Sequence, residues 1–203
     1  MEVLLFTQAE YWDYESKAIE RFFKAGLKTL HIRKPDYSTE QMMEFIEKIP
    51  EKYRNRLVIH SHHELAIQYK LKGIHITEGH RKEKGMLNVK LFFYKILRPK
   101  LTISTSFHSL NSFKKAKRKY DYVILSPVFE SISKKDHKPT YTLAKIQETL
   151  QNTNYKVVGV GGMDEDKIQT AKQMGFYAVG LLGGIWKDEF PEEKLKRILE
   201  LSL

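Results

Sequence analysis

The stretch from residue 157 to residue 185 decides the fold; it reads VVGVGGMDEDKIQTAKQMGFYAVGLLGGI. It begins with the apolar run Val157–Gly161 and returns to a second apolar run at Ala178–Gly183. Short, nearly continuous apolar runs are typical of strands buried on both faces. Between them, Asp164 is a capping residue ahead of a helix predicted over Glu165–Met174. The stretch therefore predicts a strand–helix–strand unit of a parallel sheet.

The same alternation extends over the rest of the chain. Six further runs predict strands, at Val3–Thr7, Thr29–Arg33, Leu57–Ser61, Gly73–Thr77, Leu101–Ser106 and Tyr122–Ser126. Helices are predicted at Glu15–Lys24, Thr39–Glu47, Glu64–Lys70, Leu110–Lys119, Leu143–Leu150 and Glu192–Leu201, whereas Arg81–Arg98 fits either a short helix or a buried strand. Eight βα units without a linker predict a single α/β domain over residues 1–203, a (β/α)8 TIM barrel. An open Rossmann or flavodoxin-like sheet is the alternative fold.

The composition of the chain indicates which kinds of molecule it binds. The chain carries 35 Lys and Arg against 25 Asp and Glu, a net charge of +10, which favours anionic ligands. We interpret the basic run Lys114–Lys119 as the solvated face of a helix, because no nucleic-acid recognition module accompanies it. There is no cysteine, and no stretch approaches the ~20 apolar residues of a membrane span. We expect small phosphorylated partners, no nucleic acid, no membrane and a cytoplasmic location; a homodimer stays open.

In a TIM barrel, functional residues lie in the loops that follow the strands. Arg33 follows the second predicted strand, and its guanidinium can grip a phosphate or bridge to an outer helix. Glycine pairs at residues 161–162 and 183–184 follow the last two strands and expose backbone N–H groups just before predicted helix starts, a pattern typical of barrel phosphate sites. The hydroxyl-rich segment 126–136 ends near paired lysines and suits either a pyrophosphate group or a flexible polar loop.

Histidines are concentrated around the ends of the third and fourth predicted strands, at His60, His62, His63, His75 and His80. With two glutamates in the same segments, a metal site is one interpretation. The spacing is not specific, however, because the adjacent His62 and His63 should diverge. A mid-strand position such as that of His75 is more typical of a hydrogen-bonded core histidine.

The segment after the sixth predicted strand carries a family resemblance. Residues 121–129 read DYVILSPVF and are followed by Ser131, Ser133 and Lys134; supporting matches are GIHI at 73–76, SFHS at 106–109 and GGM at 161–163. From His31 to about Ile185 the chain resembles the thiamine phosphate synthase and TenI (thiazole tautomerase) superfamily.

The resemblance implies a transferase of thiamine biosynthesis. It would couple hydroxymethylpyrimidine pyrophosphate to thiazole phosphate by a dissociative reaction in which pyrophosphate leaves first, so charge neutralisation matters more than a general base. By the same resemblance, Arg33 and Lys134 are catalytic. Because histidine titrates near neutral pH, we add His31 as an acid–base group, with His60 and His108 as alternatives. The implied substrate-binding residues are Ser106, Ser131, Ser133, Gly161, Gly162, Leu182 and Gly183.

The chain departs from the synthase pattern at the metal. The resemblance implies that Ser61 and His80 replace the two aspartates that hold magnesium in synthases. Magnesium prefers oxygen ligands, so this loss weakens the site, and magnesium stays only a possible cofactor. The segment at His31 resembles TenI, yet Pro127 stands where TenI has its catalytic histidine. A TenI-like thiazole tautomerase and a non-catalytic phosphate-binding barrel are therefore the alternative functions.

Overall fold

The strands form a closed parallel barrel in which they pair in chain order and β1 pairs with β8. The computed structural model describes residues 1–10, 12–82, 84–116, 118–130 and 141–203. The strands are β1 (Glu2–Phe6), β2 (Leu30–Ile32), β3 (Leu57–Ile59), β4 (Gly73–Ile76), β5 (Thr102–Phe107), β6 (Tyr122–Leu125), β7 (Val157–Val160) and β8 (Ala178–Leu181). The TIM-barrel prediction is confirmed, and the open-sheet alternative is excluded.

Helices connect the strands and cover the outside of the barrel. They are α1 (Glu15–Lys24), α2 (Thr39–Glu47), α3 (Glu51–Arg54), α4 (Leu65–Gln68), α5 (Glu78–Lys82), α6 (Lys84–Leu97), α7 (Leu110–Lys114), α8 (Leu143–Gln151), α9 (Ile168–Met174), α10 (Gly183–Trp186) and α11 (Pro191–Leu201). A 3₁₀ turn at Glu165–Lys167 precedes α9. Among the described residues, no helix combines the length and apolar character that crossing a membrane requires.

Two predicted boundaries are wrong. Helix α7 ends at Lys114 instead of Lys119. Like charges three and four residues apart oppose a longer helix here, since Lys115, Arg118 and Lys119 follow. Strand β8 ends at Leu181, and Gly183 begins α10 instead of closing the strand.

The ambiguous segment after β4 is helical. Helix α6 spans 14 residues, and its phenylalanines Phe92 and Phe93 are 64% and 56% exposed. A buried strand would have covered both rings. Helix α6 instead presents an apolar face to solvent, formed by Met86, Val89, Phe92, Phe93, Ile96 and Leu97.

Side chains alternate along each strand between the surrounding helices and the barrel interior. The interior differs from one side to the other. An apolar cluster comes from β1, β6, β7 and β8, which we call the apolar half: Leu4, Phe6, Tyr122, Ile124, Val158 and Ala178. Strands β2 to β5 and their ends form the polar half, which buries His31, His60, His75 and Ser104.

Candidate active site at the barrel mouth

Polar contacts join neighbouring loops around the mouth of the barrel, the end at which all eight strands terminate. The backbone N–H of Arg33 donates to Thr7 Oγ1 at 2.8 Å, and Trp186 Nε1 donates to the Phe6 carbonyl at 2.6 Å. His62 Nε2 lies 2.9 Å from the Tyr37 carbonyl oxygen, and His108 Nδ1 lies 3.0 Å from that of Ser126. These contacts hold side chains from distant parts of the sequence in fixed relation.

The loop after β2 presents Arg33 to solvent and buries its neighbour Lys34. Lys34 Nζ lies 2.5 Å from Glu15 Oε2 and donates to the Glu10 carbonyl at 2.6 Å. Burial raises the pKa of Glu15, and the hydrogen bond from Lys34 opposes that shift. Removing either partner would leave a buried group without its partner, so the pair anchors the Arg33 loop to the start of α1.

The glycine pair after β7 lies against the loop after β6. Gly161 and Gly162 have φ angles of +95° and +61°, in the left-handed region that favours glycine. A Cβ on Gly162 would stand 2.7 Å from Phe129 Cβ and would also clash with the Glu130 carbonyl. No larger residue fits without moving that loop, so glycine is required at this position.

The second glycine pair lies against the end of β7. A Cβ on Gly184 would meet Asp164 Oδ1 at 3.1 Å. Lys194 Nζ reaches the same loops, 2.8 Å from Asp164 Oδ1 and 3.2 Å from Asp188 Oδ2, with 12% of its side chain exposed. The loops after β7 and β8 therefore share a cation as well as adjacent glycine backbone. Leu182, which precedes this pair, is 42% exposed.

His31 lies inside the polar half of the barrel and is fully buried. Its Nδ1 is 3.0 Å from His60 Nε2, and its Nε2 is 2.7 Å from the Tyr122 hydroxyl. His75 stacks on His60 with ring centroids 4.2 Å apart, and its Nδ1 is 2.9 Å from Ser104 Oγ. The structure thus places His75 in the core, as predicted, and joins it to His31 and His60.

Burial keeps these imidazoles neutral. Desolvation lowers the pKa of His31 from 6.5 to about 3 and lowers the pKa of His60 and His75 well below 6.5, with mutual repulsion adding to both. Outside the cluster, His63 diverges from His62, as predicted: His63 Nε2 approaches the His75 carbonyl oxygen at 3.1 Å, and its pKa falls to about 4 through burial.

Ser106, at the end of β5, is half-buried beside an arginine that the sequence analysis did not single out. Arg81 donates from Nη1 to the Ser106 carbonyl at 2.7 Å and to Thr105 Oγ1. Its guanidinium lies over the Phe107 ring, 4.7 Å from the centroid. The stacking and hydrogen bonds fix a positive charge where the fourth and fifth strands end.

Ser61 and His80, which the sequence predicts at the family's magnesium positions, are poor ligands for magnesium. Ser61 Oγ is buried and has no hydrogen-bond partner among the described residues, and His80 Nδ1 lies 3.0 Å from Thr77 Oγ1. Magnesium prefers charged oxygen ligands, which neither a neutral hydroxyl nor an imidazole supplies. Glu78, which is close in sequence, is exposed and 3.6 Å from Lys82 Nζ. Ser131, Ser133 and Lys134 lie outside the described residues.

Sequence reasoning missed the convergence of the histidines, although strand alternation carried a signal for it. His75 aligns with Ser104 across β4 and β5, and Ser104 aligns with Tyr122 across β5 and β6. Residues in register on adjacent strands share a face, so these three point into the barrel together. No comparable pattern in the sequence predicts the ion pair of Lys34 with Glu15.

The fold and this mouth define a TIM barrel with basic and glycine-lined loops at the ends of its strands. The sequence profile of the TMP-TENI family, described as thiamine monophosphate synthase, matches residues 4–185. This chain belongs to that family.

Individual relatives agree with this assignment. The thiamine-phosphate synthase of Desulfitobacterium hafniense (strain Y51) is 24% identical over 188 residues, covering 91% of this chain and 87% of that protein. The thiamine-phosphate synthase of Proteus mirabilis (strain HI4320) is 25% identical over 188 residues, covering 90% and 84%.

Solved structures agree as well. The thiamine phosphate pyrophosphorylase of Bacteroides thetaiotaomicron superposes with a TM-score of 0.81 at 28% identity, covering 100% of this chain and 98% of that one. The thiamine phosphate pyrophosphorylase of Pyrococcus furiosus has a TM-score of 0.77 at 15% identity, with coverage of 99% and 95%, and supports the fold alone.

Proposed function

We propose that this protein is a cytoplasmic thiamine-phosphate synthase that couples hydroxymethylpyrimidine pyrophosphate to thiazole phosphate and releases pyrophosphate. The observation that carries the proposal is the partly buried glycine backbone at Gly161 and Gly162, which has positive φ angles and packs so closely against the loop after β6 that no side chain fits there. Family membership over residues 4–185 supplies the reaction class.

The loops after β7 and β8 would bind the thiazole phosphate. Backbone N–H groups of Gly162 and Gly183 can donate to phosphate oxygens, and Lys194, which bridges Asp164 and Asp188, would hold the two loops together. Leu182 contributes its backbone between them. Because Gly162 admits no side chain, the phosphate would contact the main chain directly there.

The leaving pyrophosphate would bind on the opposite side of the mouth. Arg33 is exposed there, and Lys34 is withdrawn into its ion pair with Glu15, so the Arg33 guanidinium is the free positive group of this loop. Arg81 presents a second fixed guanidinium next to Ser106. Cationic donors aimed at the departing group stabilise the charge that develops as the bond breaks. Lys134, Ser131 and Ser133 would complete the site from the loop after β6.

His31 enters this proposal as a positioning residue. It is fully buried and lies between Tyr122 and His60. His60, 9% exposed, is the member of the cluster that reaches the mouth. An acid–base role would therefore pass through His60, with His31 setting its tautomer.

One assay tests the proposed function. The purified protein is incubated with pyrimidine pyrophosphate and thiazole phosphate, with and without Mg²⁺, and thiamine phosphate is measured. We expect product formation that depends on Arg33 and Lys134. Tautomerase activity without coupling would favour the TenI branch, and ligand binding without turnover in either assay would leave the binding-barrel alternative. No product under any metal condition contradicts the synthase proposal.

We also propose that the protein is a homodimer formed through α6. Six large apolar side chains on this helix are each 56–65% exposed. At about 150–250 Å² for a large aromatic side chain, such a face offers on the order of 600 Å², close to the ~800 Å² that each partner buries in a stable complex. A two-fold axis would pair the face with itself.

Oligomeric state tests this second proposal. Sedimentation equilibrium should give a dimer for the native protein and a monomer for Phe92→Lys. The matched control is Leu143→Lys, which places the same charge at an exposed leucine of α8 and should leave the dimer intact. A native protein that sediments as a monomer at all concentrations contradicts the proposal.

A further inference from the structure

We propose that His31, His60 and His75 form a binding site for a divalent transition metal of the zinc class, inside the polar half of the barrel. The three side chains come from the second, third and fourth strands or their ends, and each offers one ring nitrogen within 4.8 Å of the others. All three are buried. The binding of the metal does not depend on the proposed function; only a role of the metal in the reaction rests on it.

The shortest of these distances suits a small cation. His31 Nδ1 and His60 Nε2 are 3.0 Å apart. Two imidazole nitrogens bound tetrahedrally to Zn²⁺ at 2.0–2.1 Å stand roughly 3.3 Å apart. The metal would take the place of the proton that now lies between these two nitrogens, with a small outward shift of the rings.

Outer contacts orient the two deepest imidazoles. Ser104 Oγ is 3.4 Å from the Ile74 carbonyl and 2.9 Å from His75 Nδ1. When its hydroxyl donates to that carbonyl, Oγ can accept from His75 Nδ1–H, which leaves His75 Nε2 as the unprotonated nitrogen. The Tyr122 oxygen lies 2.7 Å from His31 Nε2 and can accept a hydrogen bond from Nε2–H, which leaves His31 Nδ1 free of a proton to bind the metal. Metal-binding histidines regularly have this kind of partner on the second ring nitrogen.

The donor set selects the metal class. Three neutral imidazoles suit zinc, cobalt, nickel or copper, and the chain contains no thiolate. No carboxylate belongs to the cluster among the described residues, so magnesium and calcium are disfavoured. Burial lowers the affinity of the imidazoles for protons, which keeps the nitrogens available.

Three protein ligands leave one coordination position open. His60 is the most exposed of the three, so we place the open position on the side of the mouth. A dication held by neutral ligands carries its full charge and attracts an anion to that position. This would set a cation beside the proposed substrate site, in a protein whose residues at the family's magnesium positions are Ser61 and His80.

Metal titration tests the site directly. The full-length protein is stripped with a chelator and titrated with Co²⁺, whose visible absorption reports tetrahedral nitrogen coordination, and bound Zn²⁺ is counted by mass spectrometry. We expect one ion per chain with Mg²⁺ unable to compete. His31→Gln and His60→Asn, which replace an imidazole ligand with a neutral amide, should each weaken binding at least about 100-fold.

The controls separate binding from folding and from catalysis. His62→Gln and His108→Gln alter histidines outside the cluster and should bind Co²⁺ like the native protein. Thermal unfolding checks that each variant is folded, and binding is compared only among folded variants. Substoichiometric binding, or unchanged binding in both His31→Gln and His60→Asn, overturns the metal site. Stoichiometric binding without thiamine phosphate formation supports the metal site and contradicts only the synthase proposal.

Discussion

The two halves of the barrel interior solve the same packing problem with different chemistry. The apolar half, on β1, β6, β7 and β8, fills its interior with side chains such as Leu4, Ile124 and Val158. The polar half buries three histidines and satisfies them through Tyr122, Ser104 and one another. The apolar half thus carries the glycine loops on a rigid support, whereas the polar half keeps titratable groups directly beneath the mouth.

This difference predicts which half of the barrel responds to pH and metal and which half does not. Apolar packing needs no particular protonation state, so the apolar half should tolerate changes of pH and metal. Buried polar networks depend on every member being satisfied, so the polar half should respond to both. The predictions below address the two halves in turn, from the largest expected effect to the smallest.

The largest effect is expected at the mouth of the polar half. Arg33→Ala should lower kcat/KM for coupling by about 100- to 1,000-fold, the range found when one charge-stabilising donor is removed. Steady-state kinetics with both substrates measures it. Arg21→Ala, at an exposed arginine of α1 paired with Glu192, is the matched control and should change the rate by less than twofold. Equal values of kcat/KM in both variants would show that Arg33 does not take part in the reaction.

Acid should destabilise the metal-free protein through the polar half. The pKa of His31 is about 3 in the folded state against 6.5 ordinarily, so the unfolded chain takes up the proton first as pH falls. The free energy of unfolding should therefore decrease below pH 6.5, by about 2 kcal/mol at pH 5 for His31 alone. Urea unfolding at pH 7.5, 6 and 5 measures this decrease. His31→Gln should flatten it relative to His108→Gln; identical slopes would show that His31 does not contribute.

Gly162→Ala tests the phosphate loop that the apolar half supports. The added methyl group requires φ near +61° and meets the loop after β6, so that loop must move. We expect the KM for thiazole phosphate to rise about tenfold, roughly 1.4 kcal/mol of binding, with kcat little changed. Gly79→Ala is the control, since a Cβ there meets only Thr77 Oγ1 at 3.7 Å. A KM that stays at the native value would show that the thiazole phosphate does not bind at Gly162.

The smallest effect is expected where the two halves meet. Tyr122→Phe removes the hydroxyl next to His31 Nε2 and should lower the free energy of unfolding by about 1–2 kcal/mol. Denaturant unfolding measures it, with Tyr177→Phe as the control because that hydroxyl binds exposed Glu2. If both variants lose the same free energy of unfolding, the buried contact of Tyr122 with His31 stabilises the protein no more than the exposed contact does.

The sequence by itself determined the architecture and the helix that begins at Thr39. Apolar runs of four to six residues alternating with helical stretches predict buried parallel strands, and Ser38 and Gln41 form the capping box that starts α2. The glycine pairs after β7 and β8 were also readable, because Gly161 and Gly162 adopt left-handed φ angles ahead of a helix start, whereas their contacts with the loop after β6 were not. In each case, neighbours along the chain supply the physical constraint.

Only the tertiary structure decided which side chains meet. His31 and Tyr122 are 91 residues apart, and closure of the barrel brings them together. Alternation predicts that a side chain points inward, but the register of neighbouring strands decides the layer it enters and the partners it finds there. The ion pair of Lys34 with Glu15 and the exposed face of α6 follow the same rule, because each depends on how a helix packs against the closed barrel. The histidine cluster is therefore a property of the closed barrel, although each of its members was visible in the sequence.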